Sequence, residues 1–403
     1  MNDLLRVRFS GPLKAFASGF ATELSHQGYT RNSACMQMRL VAHLSRWLEG
    51  EELTDMQTLS QLEVDRFIRG RRASGYTLQL TKKALQPILS YLRRLGAVPR
   101  PPVAVPDGPV DKLLERYRSY LITERGLGGP TTRGYVEMVR PFLESRVSSD
   151  GLDLALSAAD VTAFVVARCP RLSHSPAKLT VTALRSLLGF LHIDGMITRS
   201  LAAAVPSVAG WRLAGLPKGL KVEEVRSLLT SCDRRTSTGR RDFAVMMVLA
   251  RLGLRAGEVA GLQLDDFDWR AGTFVVRGKG NRAESLPLPA DVGEAIAAYL
   301  RRGRPAGALG RHVFVRAKAP RCALTPAGLT QLVAAAASRA GLGQIYAHRL
   351  RHTLATEMLR AGSSLPEVGQ VLRHRRALTT AIYAKVNRDA LRTVARPWPG
   401  GAA

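Results

Sequence analysis

The sequence predicts a mainly α-helical protein carrying one small β-sheet, built as two helical segments followed by a mixed α/β segment. Three observations predict it. Two breaks divide the chain, one through Pro99, Pro101, Pro102, Pro106 and Pro109, the other through Pro206, Gly210, Gly215, Pro217 and Gly219. Proline lacks the N–H and the backbone freedom a helix interior needs, so both stretches read as linkers. Apolar residues recur at three and four through the first two segments, where β-branched runs are few. Only the third segment has a strand-type pair of runs, Thr273-Phe274-Val275-Val276 and Ser285-Leu286-Pro287-Leu288, separated by the turn Gly278-Lys279-Gly280-Asn281. The expected domains are residues 1–98, 110–205 and 217–403.

The first two segments read as diverged copies. Leu24, Gly28, Val41 and Leu44 recur as Ile122, Gly126, Val139 and Phe142 at an offset of 98. Leu62 to Phe67 recurs as Ala159 to Phe164 at 97, and Ala84-Leu85, Tyr91-Leu92 and Gly96 recur as Ala183-Leu184, Phe190-Leu191 and Gly195 at 99. In the third segment, Val222 to Leu229 reads as a short amphipathic helix and Phe243 to Leu252 as an apolar helix stopping near Gly253. After the hairpin the chain reads as helical almost to its end. Val386, Ala390, Leu391 and Val394 suggest a short amphipathic tail helix.

The chain has 403 residues, 46% of them hydrophobic, so packed cores are expected and global disorder is not. Lys and Arg number 59 against 32 Asp and Glu, a net charge of +27. Such a surplus points to a polyanion, nucleic acid first and an anionic membrane surface second. No apolar run reaches 18 residues, so no transmembrane helix is expected, and the N-terminus does not read as a signal peptide. Cys35, Cys169, Cys232 and Cys322 form no CxxC and no metal spacing, which suits a reducing cytoplasm. Arg301, Arg302, Arg304, Arg311, Arg316, Lys318 and Arg321 lie in 21 residues without an acid. They read either as a phosphate-facing surface or as a solvated loop.

Four stretches carry the chemistry. They are Leu252-Gly253-Leu254-Arg255-Ala256-Gly257-Glu258-Val259, the Gly278–Arg282 turn with Leu286-Pro287-Leu288, His348-Arg349-Leu350-Arg351-His352-Thr353, and Leu372-Arg373-His374 followed by Thr379-Thr380-Ala381-Ile382-Tyr383. Each alone is weak; the four in this order form a strong signal, and over residues 217–386 the chain resembles the catalytic domain of tyrosine recombinases, the phage integrase family. Gly126-Leu127-Gly128-Gly129-Pro130-Thr131-Thr132-Arg133-Gly134-Tyr135 resembles the loop and helix start of that family's SAM-like core-binding domain.

The resemblance implies a catalytic set of Arg255, Lys279, His348, Arg351, His374 and the nucleophile Tyr383. A DNA phosphodiester gains charge on its non-bridging oxygens during attack. Planar guanidinium groups at Arg255 and Arg351 suit those oxygens. A phenol is both nucleophile and leaving group, so Tyr383 would store the phosphodiester energy in a phosphotyrosine bond. Lys279, on a glycine-flanked turn, would protonate the leaving 5′ oxygen, while His348 and His374 would bond phosphate and accept the phenol proton. Glu258 is expected to orient Arg255 or to cap backbone. His348 and His352 stand at a zinc spacing, but Glu357 is misplaced for a zinc protease, so no metal is expected. Many members of the family carry Gly where this chain has Arg373, which would add phosphate contacts or shift the backbone at His374.

The implied partners are duplex DNA and further copies of this chain in a tetrameric synapse, with or without related recombinases, and no membrane. No cofactor is expected, neither metal nor nucleotide. The expected location is the cytoplasm, with nucleoid association when bound to DNA. Residues 1–98 would grip additional DNA or make protein contacts within the synapse. Two other classes use the same scaffold: a type IB-like topoisomerase and a non-catalytic DNA-binding protein. The resemblance leaves open integration, excision, transposition and resolution.

Overall fold

A computed structural model of the chain describes residues 7–100, 107–149, 151–208, 219–278, 282–374, 377–380 and 382–383. It falls into two compact units, Met1–Arg100 with Gly215–Ala403, and Pro101–Ala214. The expected tail helix over Val386 to Val394 and the tip residue Lys279 lie outside the described residues.

The first segment holds α1 (Ala17–His26), α2 (Arg31–Gly50), α3 (Gln61–Ala73) and α4 (Lys82–Arg94) around a core that includes Leu24, Val41, Leu44, Val64, Leu85 and Leu92. The second holds α5 (Pro109–Thr123), α6 (Gly129–Glu144), α7 (Ala158–Arg168) and α8 (His174–Ile193) around Leu121, Val139, Phe142, Val161, Leu184 and Leu191. The two follow one plan. Ser60 and Glu63 close a capping box at the start of α3, and Ser157 and Asp160 do the same for α7. Gly28 and Gly126, and likewise Gly96 and Gly195, share positive φ at equivalent turns. One expected pair shifts: Ile122 is exposed and Leu121 takes the buried place matching Leu24. The second segment also carries a two-residue hairpin, β1 (Val147–Ser148) with β2 (Gly151–Leu152), too short for any period to show in sequence.

The third segment begins with α9 (Val222–Thr230) and α10 (Ser237–Leu252). Val245, Met246, Val248 and Leu249 of α10 are buried at the centre of its core. After α11 (Ala256–Gly261) come β3 (Phe267–Asp268), β4 (Thr273–Arg277) and β5 (Ala283–Pro287), an antiparallel sheet in the order β3-β4-β5. Phe274 and Val276 alternate into the core as period two requires, and Arg277 pairs with Ala283 next to the turn. The expected hairpin is therefore present, with β3 as an additional strand. Then follow α12 (Ala290–Arg302), α13 (Pro326–Arg339), α14 (Ala347–Arg360), α15 (Leu365–Val371) and α16 (Ala377–Thr380), with α10 packed between α12 and α14.

The expectation of helix from the hairpin onward fails between α12 and α13. That stretch is irregular, broken by Pro305, Gly307, Gly310 and Pro320, and bridged only at Gln263–His312 and Val315–Ala323. It holds most of the basic run, and three of its arginines are engaged within the protein. Arg304 donates to the Gly310 and His312 carbonyls, Arg311 pairs with Asp265, and Arg321 lies against the first segment's Gly28, with its backbone N–H on the Gln27 carbonyl at 3.2 Å.

Candidate active site

Helix α10 stops because Gly253 adopts φ +58°. A side chain there would be strained by that conformation, and its Cβ would sit 2.9 Å from the Leu354 and Leu372 side chains. This close approach brings the ends of α10 and α15 against the body of α14. The Gly253 and Leu372 carbonyls, each at a helix end, both accept hydrogen bonds from Arg351 on α14, one through Nη1 and the other through Nη2. Arg351 is 1% exposed. Burial, reinforced by the neighbouring Arg255 charge, lowers its pKa to about 10, so it remains cationic at neutral pH.

Two residues past Gly253, Arg255 opens α11. The Glu258 carboxylate takes its backbone N–H at 2.8 Å through Oε2 and its Nη1 at 2.8 Å through Oε1, so it both caps the helix and orients the guanidinium. The Arg255 side chain is 45% exposed and Glu258 only 6%. Burial works against the charged form of Glu258, yet these bonds together with Arg373 hold its carboxyl below the usual range.

His348, Arg351 and His352 stand at i, i+3 and i+4 on α14 and so share a face. The His348 and His352 rings meet edge to face with centroids 4.4 Å apart. The short α15 ends in a Schellman-type cap: the His374 N–H reaches the Gly369 carbonyl and the Arg373 N–H the Gln370 carbonyl, both at 2.9 Å. This leaves Arg373 left-handed at φ +53°, where an L side chain costs about 1 kcal/mol more than glycine. His374 follows, its Nδ1 2.8 Å from the Thr380 hydroxyl, and its ring lies parallel to that of Tyr383 at 6.4 Å.

Tyr383 is buried against Ala355, Leu359, Val368 and Leu372, with only 1% exposed. Its hydroxyl lies 2.7 Å from Nδ1 of His352. Burial raises the phenol pKa, and the Arg351 charge opposes that rise. Burial likewise lowers the pKa of His348, and lowers those of His352 and His374 to about 4, with the surrounding cations and imidazoles adding to the effect. All three rings are therefore neutral at pH 7 and able to accept a proton. With the proton of His352 on Nε2, the phenol donates to Nδ1.

Of the expected residues, Arg255, His348, Arg351, His374 and Tyr383 gather in this one neighbourhood, while Lys279 lies outside the described residues. Its hairpin is framed up to the Gly278 N–H, which reaches the Arg282 carbonyl at 2.8 Å. Sequence reasoning set His352 aside as a false zinc partner, yet it is the group that touches the tyrosine hydroxyl. The signal available was its place beside Arg351, one turn from His348. Arg373 takes a left-handed conformation that glycine also favours, and its guanidinium turns inward to Glu258 at 2.6 Å.

Residues 218–389 match the phage integrase family. A Sinorhizobium fredii protein provisionally named an integrase/recombinase is 44% identical, over 97% of this chain and 96% of its own. The tyrosine recombinase XerD of Listeria monocytogenes is 30% identical, over 71% of this chain and 97% of its own. The fold resembles that of the XerH site-specific recombinase bound to palindromic difH substrate in a post-cleavage complex. There the TM-score is 0.57 at 20% identity, covering 82% of this chain and 93% of that one.

Proposed function

The chain belongs to the phage integrase family, and on that premise we propose that it is a site-specific tyrosine recombinase that cuts and rejoins duplex DNA through a 3′-phosphotyrosyl intermediate. The Tyr383 oxygen bonds to phosphorus as the bond to the 5′ oxygen breaks. The phenol proton passes to an imidazole, with His352 the nearest, and Lys279 delivers a proton to the departing 5′ oxygen. Arg255 and Arg351, aided by His348 and His374, stabilise the charge that builds on the non-bridging oxygens. A 5′-hydroxyl from a partner strand then attacks the phosphotyrosine and frees the phenol. Bond energy is conserved through both steps, so no nucleotide is consumed. Guanidinium groups supply the positive charge at phosphorus, so no metal ion is required.

The observation that carries this reading is the Tyr383 hydroxyl, 2.7 Å from Nδ1 of His352, with His348, Arg351 and His374 alongside. Strand exchange between two duplexes breaks four strands and uses one nucleophile for each, which calls for a synapse of four protomers, of this chain alone or with related recombinases. Residues 110–205 and residues 217–403 each bind DNA, and residues 1–98 add DNA or protein contacts. The protein acts in the cytoplasm, on the nucleoid when DNA-bound.

Trapping on a nicked suicide substrate tests the reading, with candidate sites drawn from DNA flanking the native locus. The wild type should form a covalent adduct that survives EDTA. Tyr383→Phe should bind the same DNA and form none. An adduct in the phenylalanine variant would remove Tyr383 from its role, and dependence on added magnesium or zinc would overturn the metal-free mechanism.

A further inference from the structure

The left-handed position at the end of α15 is one that glycine fills without strain. The chain places an arginine there, and the arginine does not turn to solvent. Its side chain is 9% exposed, with Nη2 on Glu258 Oε2 at 2.6 Å and Nε 3.6 Å from Glu284 Oε2. Glu258 is the carboxylate that caps and orients Arg255. Glu284 is the second residue of β5, the strand that follows Lys279 in the chain. The residue after Arg373 is His374. One guanidinium therefore joins the support of Arg255, the turn that presents His374 and the strand that follows Lys279.

The charges also matter. Glu258 is shared between Arg255 and Arg373, and Arg373 is shared between Glu258 and Glu284, so the four groups balance in charge and the carboxylate that holds Arg255 is itself held from a second side.

We propose that Arg373 is a positioning residue for strand cleavage: through Glu258 it aims Arg255, while tying the His374 turn to β5, the strand that follows Lys279 in the chain. The proposal rests on the recombinase reading above. Its rival is direct phosphate contact, since Arg373 Nη1 is buried with no hydrogen-bond partner among the described residues.

The test uses Arg373→Gly, which removes the guanidinium and suits the left-handed backbone, so folding is retained. Single-turnover cleavage of the suicide substrate should fall at least tenfold. Millimolar guanidinium or the variant Arg373→Lys should restore part of the loss. The slope of log affinity against log salt should not change. A slope smaller by about 0.9 would mean that Arg373 binds phosphate itself and would overturn the proposal. Combining Arg373→Gly with Glu258→Gln should cost little more than Glu258→Gln alone, because both act through one carboxylate; fully additive losses, or cleavage at the wild-type rate in Arg373→Gly, would also overturn it. In the DNA-free protein, phenylglyoxal should modify Arg255 several-fold faster in Arg373→Gly than in the wild type. An unchanged modification rate would refute the positioning link even if the wild type formed no adduct, a result that would count against the recombinase reading instead.

Discussion

Arg351 and Tyr383 are equally hidden, at 1% exposure each, yet the regions that hold them are built differently. Arg351 sits where the ends of α10 and α15 meet α14, and it donates to a backbone carbonyl at each of those ends. Removing it would leave two main-chain acceptors unmatched in the interior. Tyr383 lies against four side chains of a small cluster and, among the described residues, makes one side-chain hydrogen bond, to His352. The same burial thus describes a keystone in one place and a lightly seated group in the other. A strand-cleaving enzyme of this kind gains from the difference. On the proposed mechanism, Arg351 is fixed in advance of attack and pays no reorganisation during it. On the same mechanism, Tyr383 leaves its seat to reach phosphorus without dismantling the fold.

The largest effect should come from Arg351. Arg351→Ala should lose about 3 kcal/mol or more of stability in chemical denaturation, because a buried bond pair disappears and its partners stay behind. It should also cleave at least about a hundredfold more slowly at a temperature where it remains folded. Arg351→Lys should recover little of either, since one ammonium cannot serve two divergent carbonyls. Arg255→Ala is the control. Its guanidinium is half exposed and Glu258 keeps Arg373, so stability should change by less than about 1 kcal/mol while cleavage falls as steeply. Equal destabilisation by both alanines would erase the distinction between the two guanidinium sites.

How far the site was legible in sequence follows the same division. Arg255, His348, Arg351, His374 and Tyr383 could be picked out because each sits in a short local pattern whose order along the chain is informative. The helices were legible for a similar reason: apolar residues recurring at three and four, and glycines such as Gly28 and Gly126, act within a few residues of themselves. What the sequence hid depends on approach between distant segments. Glu258 and Arg373 are 115 positions apart, and nothing local says that they meet. His352 and Tyr383 are 31 apart, so the imidazole could be judged only by the helix it shares with His348. Strands β1, β2 and β3 escaped because two residues cannot express a period of two.

A second effect should appear at His352. His352→Asn should slow cleavage about tenfold to a hundredfold by removing the nearest acceptor for the phenol proton. DNA affinity should hold, because the ring faces Tyr383 and His348. A wild-type cleavage rate in His352→Asn would pass the proton-accepting role to His348 or His374.

The imidazoles also set a pH dependence of stability. His348, His352 and His374 have folded-state pKa values below the ordinary 6.5, and for the latter two the value is about 4. Between about pH 6.5 and 4 the unfolded chain therefore binds more protons than the folded one, so stability rises with pH across that window. The contribution is fully present above pH 6.5 and is lost as pH falls toward 4. Denaturation midpoints measured at pH 7.5 and pH 5 should fall toward acid. The fall should be smaller in a variant carrying both His352→Asn and His374→Asn. An identical fall in that variant would place the acid sensitivity elsewhere in the molecule.

The smallest effect sharpens the comparison most. Tyr383→Phe keeps the ring against Ala355, Leu359, Val368 and Leu372 and removes only the hydroxyl. The lost bond to His352 should cost about 0.5–1.5 kcal/mol, reduced where the half-buried imidazole recruits water in place of the phenol. Chemical denaturation of the two proteins at pH 7.5 measures it directly. The same substitution should abolish covalent trapping, so the variant separates chemistry from stability as completely as Arg351→Ala joins them. A loss of 3 kcal/mol or more would mean that the hydroxyl anchors its end of the chain as firmly as Arg351 anchors α14. The tyrosine would then be bound too tightly for the movement to phosphorus that the comparison assigns to it.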